Sequence, residues 1–230
     1  MAGILISFDG LDSSGKATQA GVLFSHLEHR GALVKKFESP DYTTPSGKEL
    51  KLRLQGKLGN WAATSWEEKM KYFAQNRAEH KEEVESILHQ NGIVIYDRYV
   101  PSSIAFMVEE AHAVGEDRKK IHQAVQELEY TTNNMPHEHA SLFFDIPPTI
   151  AIELLEGRKA GEGDDDEFTD HIAVQEALHA EYIRMCEEYP DTMMRIGCMN
   201  GDKLRTIDDI SHEVRTRLAQ TFPEHVSYFS

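Results

Sequence analysis

Nine residues near the N-terminus, Gly10-Leu11-Asp12-Ser13-Ser14-Gly15-Lys16-Ala17-Thr18, restrict this chain more than any other stretch of it. They carry the G-x-x-x-x-G-K spacing and follow directly on Ile4 to Phe8, a short run rich in β-branched residues that reads as a strand. A helical stretch runs from Lys16 to about Arg30 and stops at Gly31, where a C′ glycine belongs. The two glycines let the backbone wrap an anion, consecutive N–H groups point inward, and the helix N-terminus adds its positive end. Lys16 supplies a point charge suited to nucleotide phosphates. The strand–loop–helix setting separates the motif from an ordinary glycine-rich turn. Gly47-Lys48 is not a second copy, because Tyr42 stands where the earlier glycine is needed.

The remainder alternates strand and helix. Ala32 to Glu38, Ile93 to Tyr96, Leu142 to Ile146 and about Met194 to Gly197 read as further strands. Trp66 to Gln90 carries apolar residues at helical spacing, Pro101 opens another helix, and Pro147-Pro148 leads into one that ends near Gly157. Helices to about Tyr189 and from Ile207 to Ala219 complete the pattern, and Ser39 to Gly47 is a loop. Five short strands joined through helices imply right-handed crossovers, hence an α/β fold with a five-stranded parallel sheet covered on both faces. Neither repeat nor linker divides residues 1–230, which predicts one domain.

Charge narrows the partners. Lys and Arg number 24 against 39 Asp and Glu, a net charge of −15, which disfavours nucleic acid and anionic lipid. A small anion remains compatible, provided its site is concentrated. No apolar run is long enough to span a bilayer, and the N-terminus lacks the basic segment of a secretory signal. Two cysteines, Cys186 and Cys198, make no disulfide framework, so the expected compartment is the cytoplasm. His137-Glu138-His139 is the best metal-like cluster among 12 histidines, but it lacks further ligands at useful spacing and reads as exposed loop. Trp61 and Trp66 read as packing anchors.

Asp97-Arg98 ends the Ile93–Tyr96 strand, at the carboxyl edge where open α/β sheets bind ligands. Asp97 is placed to organise Mg2+ in the manner of a Walker-B carboxylate, and Arg98 to bridge phosphates. A structural ion pair is the competing reading. Phe73 and Arg77 share one helical face, where a ring could stack on a base and a guanidinium could read its edge. A core Phe with a snorkelling Arg is the plainer alternative.

Together these segments resemble the thymidylate kinase family of P-loop nucleoside monophosphate kinases, over nearly the whole chain. The resemblance rests on Phe8-Asp9-Gly10-Leu11-Asp12, Gly15-Lys16-Ala17-Thr18-Gln19, Tyr72-Phe73-Ala74-Gln75-Asn76-Arg77, Asp97-Arg98-Tyr99 with Ser102-Ser103-Ile104-Ala105-Phe106, and Phe144-Asp145-Ile146-Pro147-Pro148. It implies a three-layer P-loop kinase fold with a mobile lid at about 158–170, a homodimer, and ATP-dependent phosphorylation of dTMP to dTDP assisted by Mg2+. It also implies roles. Gly10 to Thr18 would hold the ATP phosphates, with Lys16, Arg98, Asp97 and Arg158 catalytic and Asp97 serving the metal. Asp12 would face the sugar 3′-hydroxyl, Phe73 would stack on thymine and Arg77 would reach its O4. Arg98 would grip the acceptor phosphate, Ser102 and Ser103 would line the base pocket, and Phe106 would leave no room for a 2′-hydroxyl.

The chain departs from the family pattern in several places. Ala17 lacks the hydroxyl that normally follows the lysine, Glu38-Ser39-Pro40-Asp41-Tyr42 has no arginine, and Met107 stands where a glutamine is common. Ser13 leaves the catalytic arginine to the lid, whose Gly161 to Glu167 run is acidic, so Arg158 or Lys159 must serve. Alternatives are therefore a kinase for dUMP or UMP, or a nucleotide-binding module without catalysis.

Overall fold

Strand β1, Ile4–Gly10, is buried at every position, as expected of a strand covered on both faces at the centre of a parallel sheet. The computed structural model describes residues 2–112, 114–162 and 172–230, with 158–162 described by backbone alone. Helix α1 (Lys16–His29) returns the chain to β2 (Val34–Glu38). Helices α2 (Pro45–Leu54), α3 (Trp66–Ala78) and α4 (Lys81–His89) precede β3 (Ile93–Asp97). Then come α5 (Val100–His112), α6 (Arg118–Gln126), β4 (Ala140–Asp145), α7 (Pro148–Glu162), α8 (Ile172–Glu188), β5 (Met193–Gly197) and α9 (Ile207–Thr221).

The five strands lie in the order β2-β3-β1-β4-β5, all parallel. Registers Phe8↔Asp97 and Gly10↔Phe144 bring the carboxyl ends of β1, β3 and β4 to one edge. Side chains alternate across β1. Ile4, Ile6 and Phe8 face one layer, where Phe8 stacks on Phe144 at 5.4 Å. Ser7 and Asp9 face the other, built from α5 and α8, where Phe143 stacks on Tyr182 at 4.9 Å.

Three expectations need correction. The Ser39–Gly47 loop already contains the start of α2, because Thr44 Oγ1 accepts the Gly47 N–H at 3.2 Å and Pro45 occupies the first turn. The single helix expected over Trp66–Gln90 is two, broken at Glu79–His80. Its apolar spacing is real, but His80 turns aside to meet Asp41 at 3.1 Å and the Phe37 ring at 5.0 Å. Helix α6, to which no expectation pointed, continues into a wide turn at Glu127–Thr132, where the Asn133 N–H reaches the Leu128 carbonyl. Its inward face carries His122 and Glu129 among apolar residues, which blurs the periodicity. The expected lid at about 158–170 and the Arg158 side chain lie outside the described residues.

Candidate active site

The phosphate loop takes the shape its glycines permit. Gly10, Ser13 and Gly15 have φ of 145°, 58° and 88°, and Gly15 is the N-cap of α1. A Cβ on Gly10 would lie 3.0 Å from the Phe144 carbonyl oxygen, so the β1–β4 register also favours glycine there. Lys16 is only 7% exposed and its Nζ donates to the Leu11 carbonyl at 3.2 Å. Burial, aided by the Arg98 charge, pulls its ammonium down to about 8, while Asp12, Asp97 and Asp9 pull it back up. An ammonium so placed gains from an arriving anion.

Asp9, Asp97 and Arg98 converge under this loop. Asp9 is fully buried and accepts from Ser7 Oγ (2.6 Å), Ser141 Oγ (2.9 Å), Ser102 Oγ (2.6 Å) and the Tyr99 N–H (3.2 Å). Its four donors make it a brace joining β1 to α5. Arg98 has φ of 67°, a strained value for a side-chain-bearing residue. Its guanidinium reaches Asp12 Oδ1 at 2.5 Å and the Gly10 carbonyl at 3.0 Å, and lies 5.3 Å from the Phe106 ring centroid. Burial lifts the Asp97 carboxyl above its ordinary value, with Lys16 and Arg98 opposing.

Beside the loop, α3 and α5 wall a cleft with about 820 Å³ of empty space, including that open to solvent. All seven residues expected at the acceptor nucleotide line it: Asp12, Phe73, Arg77, Arg98, Ser102, Ser103 and Phe106. Arg77 does not snorkel. It is 2% exposed and pairs with Glu129, donates to Ser39 Oγ at 2.7 Å and to Ser103 Oγ at 2.5 Å. The Ser102 hydroxyl points away to Asp9 and Tyr182. Met107, in place of the common glutamine, adds an apolar wall.

Other lining residues were not foreseen. Trp61, read as a packing anchor, lines the cleft, and Lys69 Nζ lies 5.3 Å from its ring centroid and 2.6 Å from Glu110 Oε1. Lys69 sits one turn before Phe73 as Arg77 sits one turn after, a spacing that marks the lining face of α3. Ser39 occupies the segment without an arginine. Glu129 lies eight residues beyond Ile121, in the wide turn that continues the buried stripe of α6, a spacing that is the one local sign of its inward position.

A magnesium ion fits the donor set here in part. Asp97 Oδ1 and Ser14 Oγ are buried without a hydrogen-bond partner beside the loop. Ala17 and Thr18 are exposed on the first turn of α1 and supply no inward hydroxyl. His137, Glu138 and His139 diverge: His137 stacks on Tyr130, Glu138 accepts from the Tyr130 hydroxyl at 2.7 Å, and His139 Nδ1 accepts the Leu5 N–H at 3.0 Å.

A family model described as thymidylate kinase matches residues 8–201. A thymidylate kinase from Caldanaerobacter subterraneus subsp. tengcongensis is 31% identical over 202 residues, covering 86% of this chain and 89% of that one. One from Lactobacillus helveticus is 26% identical, covering 97% of this chain and 99% of its own. Among solved structures, the thymidylate kinase from Candida albicans superposes with a TM-score of 0.69 at 23% identity, covering 99% of this chain and 94% of that one. That from Ehrlichia chaffeensis gives 0.67 at 19% identity, covering 95% and 99%. These two likenesses establish the P-loop kinase fold.

Proposed function

Since the chain belongs to the thymidylate kinase family, whose reaction is ATP-dependent phosphorylation of dTMP, we propose how its own residues carry that reaction out. The observation that carries the proposal is Arg98, which reaches from the α3–α5 cleft to Asp12 in the phosphate loop and so stands where two phosphates would meet. The loop amides and Lys16 hold the ATP phosphates. The dTMP base stacks on Phe73 with its carbonyl edge toward Arg77, Asp12 faces the 3′-hydroxyl, and Phe106 fills the space beside C2′. Ser102 and Ser103 close the pocket.

A dTMP phosphate oxygen attacks the γ-phosphorus in line, the bond from that phosphorus to the β–γ bridging oxygen breaks, and ADP leaves with the bond's electrons. The attacking oxygen is already anionic at neutral pH, so no general base is required. Lys16 and Arg98 supply positive charge to the transferring group. Arg158, at the entrance of the acidic segment, is proposed as a further cation. Asp97 would hold Mg2+, which would supply charge neutralisation to the ATP phosphates when bound. Ser13 and Ser14, whose hydroxyl oxygens are both buried without a partner, are the loop hydroxyls among the described residues that could replace the one absent at Ala17. We further propose one domain, a cytoplasmic homodimer, and no role for nucleic acid or membrane. The described residues include no helix long and apolar enough to cross a bilayer.

The test is ADP release from ATP and Mg2+ with dTMP, dUMP, UMP or no acceptor. Strong release with dTMP is expected. Release with UMP but not dTMP would overturn the base-pocket roles, and ATP binding without release at any acceptor would make the chain a binding module.

A further inference from the structure

Arg77 has five N–H hydrogens, and four of them are spoken for inside the protein. Nε and one NH2 hydrogen go to Glu129 Oε1, the second NH2 hydrogen to Ser103 Oγ, and one NH1 hydrogen to Ser39 Oγ. One NH1 hydrogen is left, on a residue that lines the acceptor cleft. Glu129 is completely buried and lies 52 residues further along the chain, outside the cleft lining. The wide turn at Glu127–Thr132 packs on α3: the Met135 N–H bonds the Glu129 carbonyl within the turn's exit, and Asn133 Nδ2 ties that exit to the Ala74 carbonyl of α3 at 3.4 Å. Such turns often occur at functional positions.

We infer that Glu129 is a positioning residue for base selection. By occupying the Nε edge of Arg77 it fixes the guanidinium so that a single donor meets the acceptor base. The cleft then takes a pyrimidine presenting a carbonyl at that edge and rejects one presenting an amino group, whose hydrogens would oppose the donor. The inference rests on the acceptor reading proposed above and assigns the selectivity to a carboxylate that does not touch the substrate. A merely structural ion pair would hold α6 to α3 and leave the choice of base unchanged.

The experiment compares wild type with Glu129→Gln, using dUMP and dCMP, which differ in that carbonyl and amino group and in the hydrogen on the adjoining ring nitrogen N3. Expected is a fall of about tenfold in the ratio of kcat/KM for dUMP over dCMP, with a raised KM for dTMP and an unchanged KM for ATP. Should Glu129→Gln not fold, Glu129→Asp keeps the charge and draws the carboxylate back. It should raise the KM for dTMP while leaving that for ATP alone. A folded variant with wild-type base ratio and acceptor KM overturns the role of Glu129 and leaves the dTMP kinase reading standing. A wild type that phosphorylates no pyrimidine nucleotide overturns both.

Discussion

At the residue scale, the chemistry turns on cations held away from water. Lys16, with its ammonium lowered to about 8 by burial and by Arg98, loses its proton in the free enzyme well before an ordinary lysine would. On the role proposed for Lys16 its protonated form holds phosphate, so kcat/KM for ATP should fall about tenfold per pH unit above about 8. Lys16→Arg, whose guanidinium stays charged, should remove that alkaline limb, and initial rates between neutral and alkaline pH check it. Phe106 guards a different property. In the proposed pose, trimming it to alanine opens space beside C2′, and it strips the ring from beside Arg98. Phosphorylation of UMP relative to dTMP should then rise about tenfold, measured as the ratio of kcat/KM values. These two residues belong to sequence-local motifs and were legible from the start. Ser39 and Glu129 were not, since their partner Arg77 lies 38 and 52 residues away and no motif links them.

At the element scale, alternation of strand and helix was legible because central parallel strands must be apolar on both faces. Boundaries were less so. The entry of α2 depends on Thr44, Pro45 and Gly47 acting together, and Gly47 is present for space. A Cβ there would stand 1.7 Å from the Asp41 carbonyl oxygen and 3.0 Å from Asn76 Nδ2. Asn76 in turn ties α3 to this turn through the Asp41 N–H at 2.7 Å and Thr44 Oγ1 at 2.9 Å. Gly47→Ala should therefore destabilise the fold by about 2–4 kcal/mol, read from the denaturant midpoint, and loosen the segment that carries Ser39. The break between α3 and α4 bears neither glycine nor proline, so periodicity alone could not find it. Helix α6 escaped for a related reason. Its inward His122 meets Glu181 at 2.8 Å and its stripe ends in Glu129, so polar pairs replace the apolar contacts that pattern reading detects.

At the scale of the whole molecule, stability depends on pH through carboxyls shifted in opposite directions. Burial pushes Glu138 up to about 7, with the Tyr130 hydroxyl partly restoring it. The folded chain then binds more protons than the unfolded one between about 4.5 and 7. On that account stability declines as pH rises through the window. Glu138→Gln should remove the decline and raise stability at pH 8 by about 1–2 kcal/mol, after allowance for solvent near a partly exposed group. Asp41, Asp145 and Glu181 act oppositely: burial raises each, but hydrogen bonds and positive partners prevail and hold it below its ordinary value. Their contribution is lost only in more acid solution, and urea titrations across the pH range separate the two groups.

Asp12 meets Arg98 on one side and Lys16, at 3.7 Å, on the other. One carboxylate thus serves as counter-ion both to the lysine proposed to hold the ATP phosphates and to the arginine proposed to hold the acceptor phosphate. A phosphate that claims Lys16 leaves Asp12 more fully to Arg98, and one that claims Arg98 returns it to Lys16. Occupancy of one site therefore changes the electrostatic work of filling the other. By thermodynamic linkage each nucleotide must alter the affinity of its partner by the same factor. The loop is in this respect a balance as well as a cradle, its two arms meeting at a single side chain.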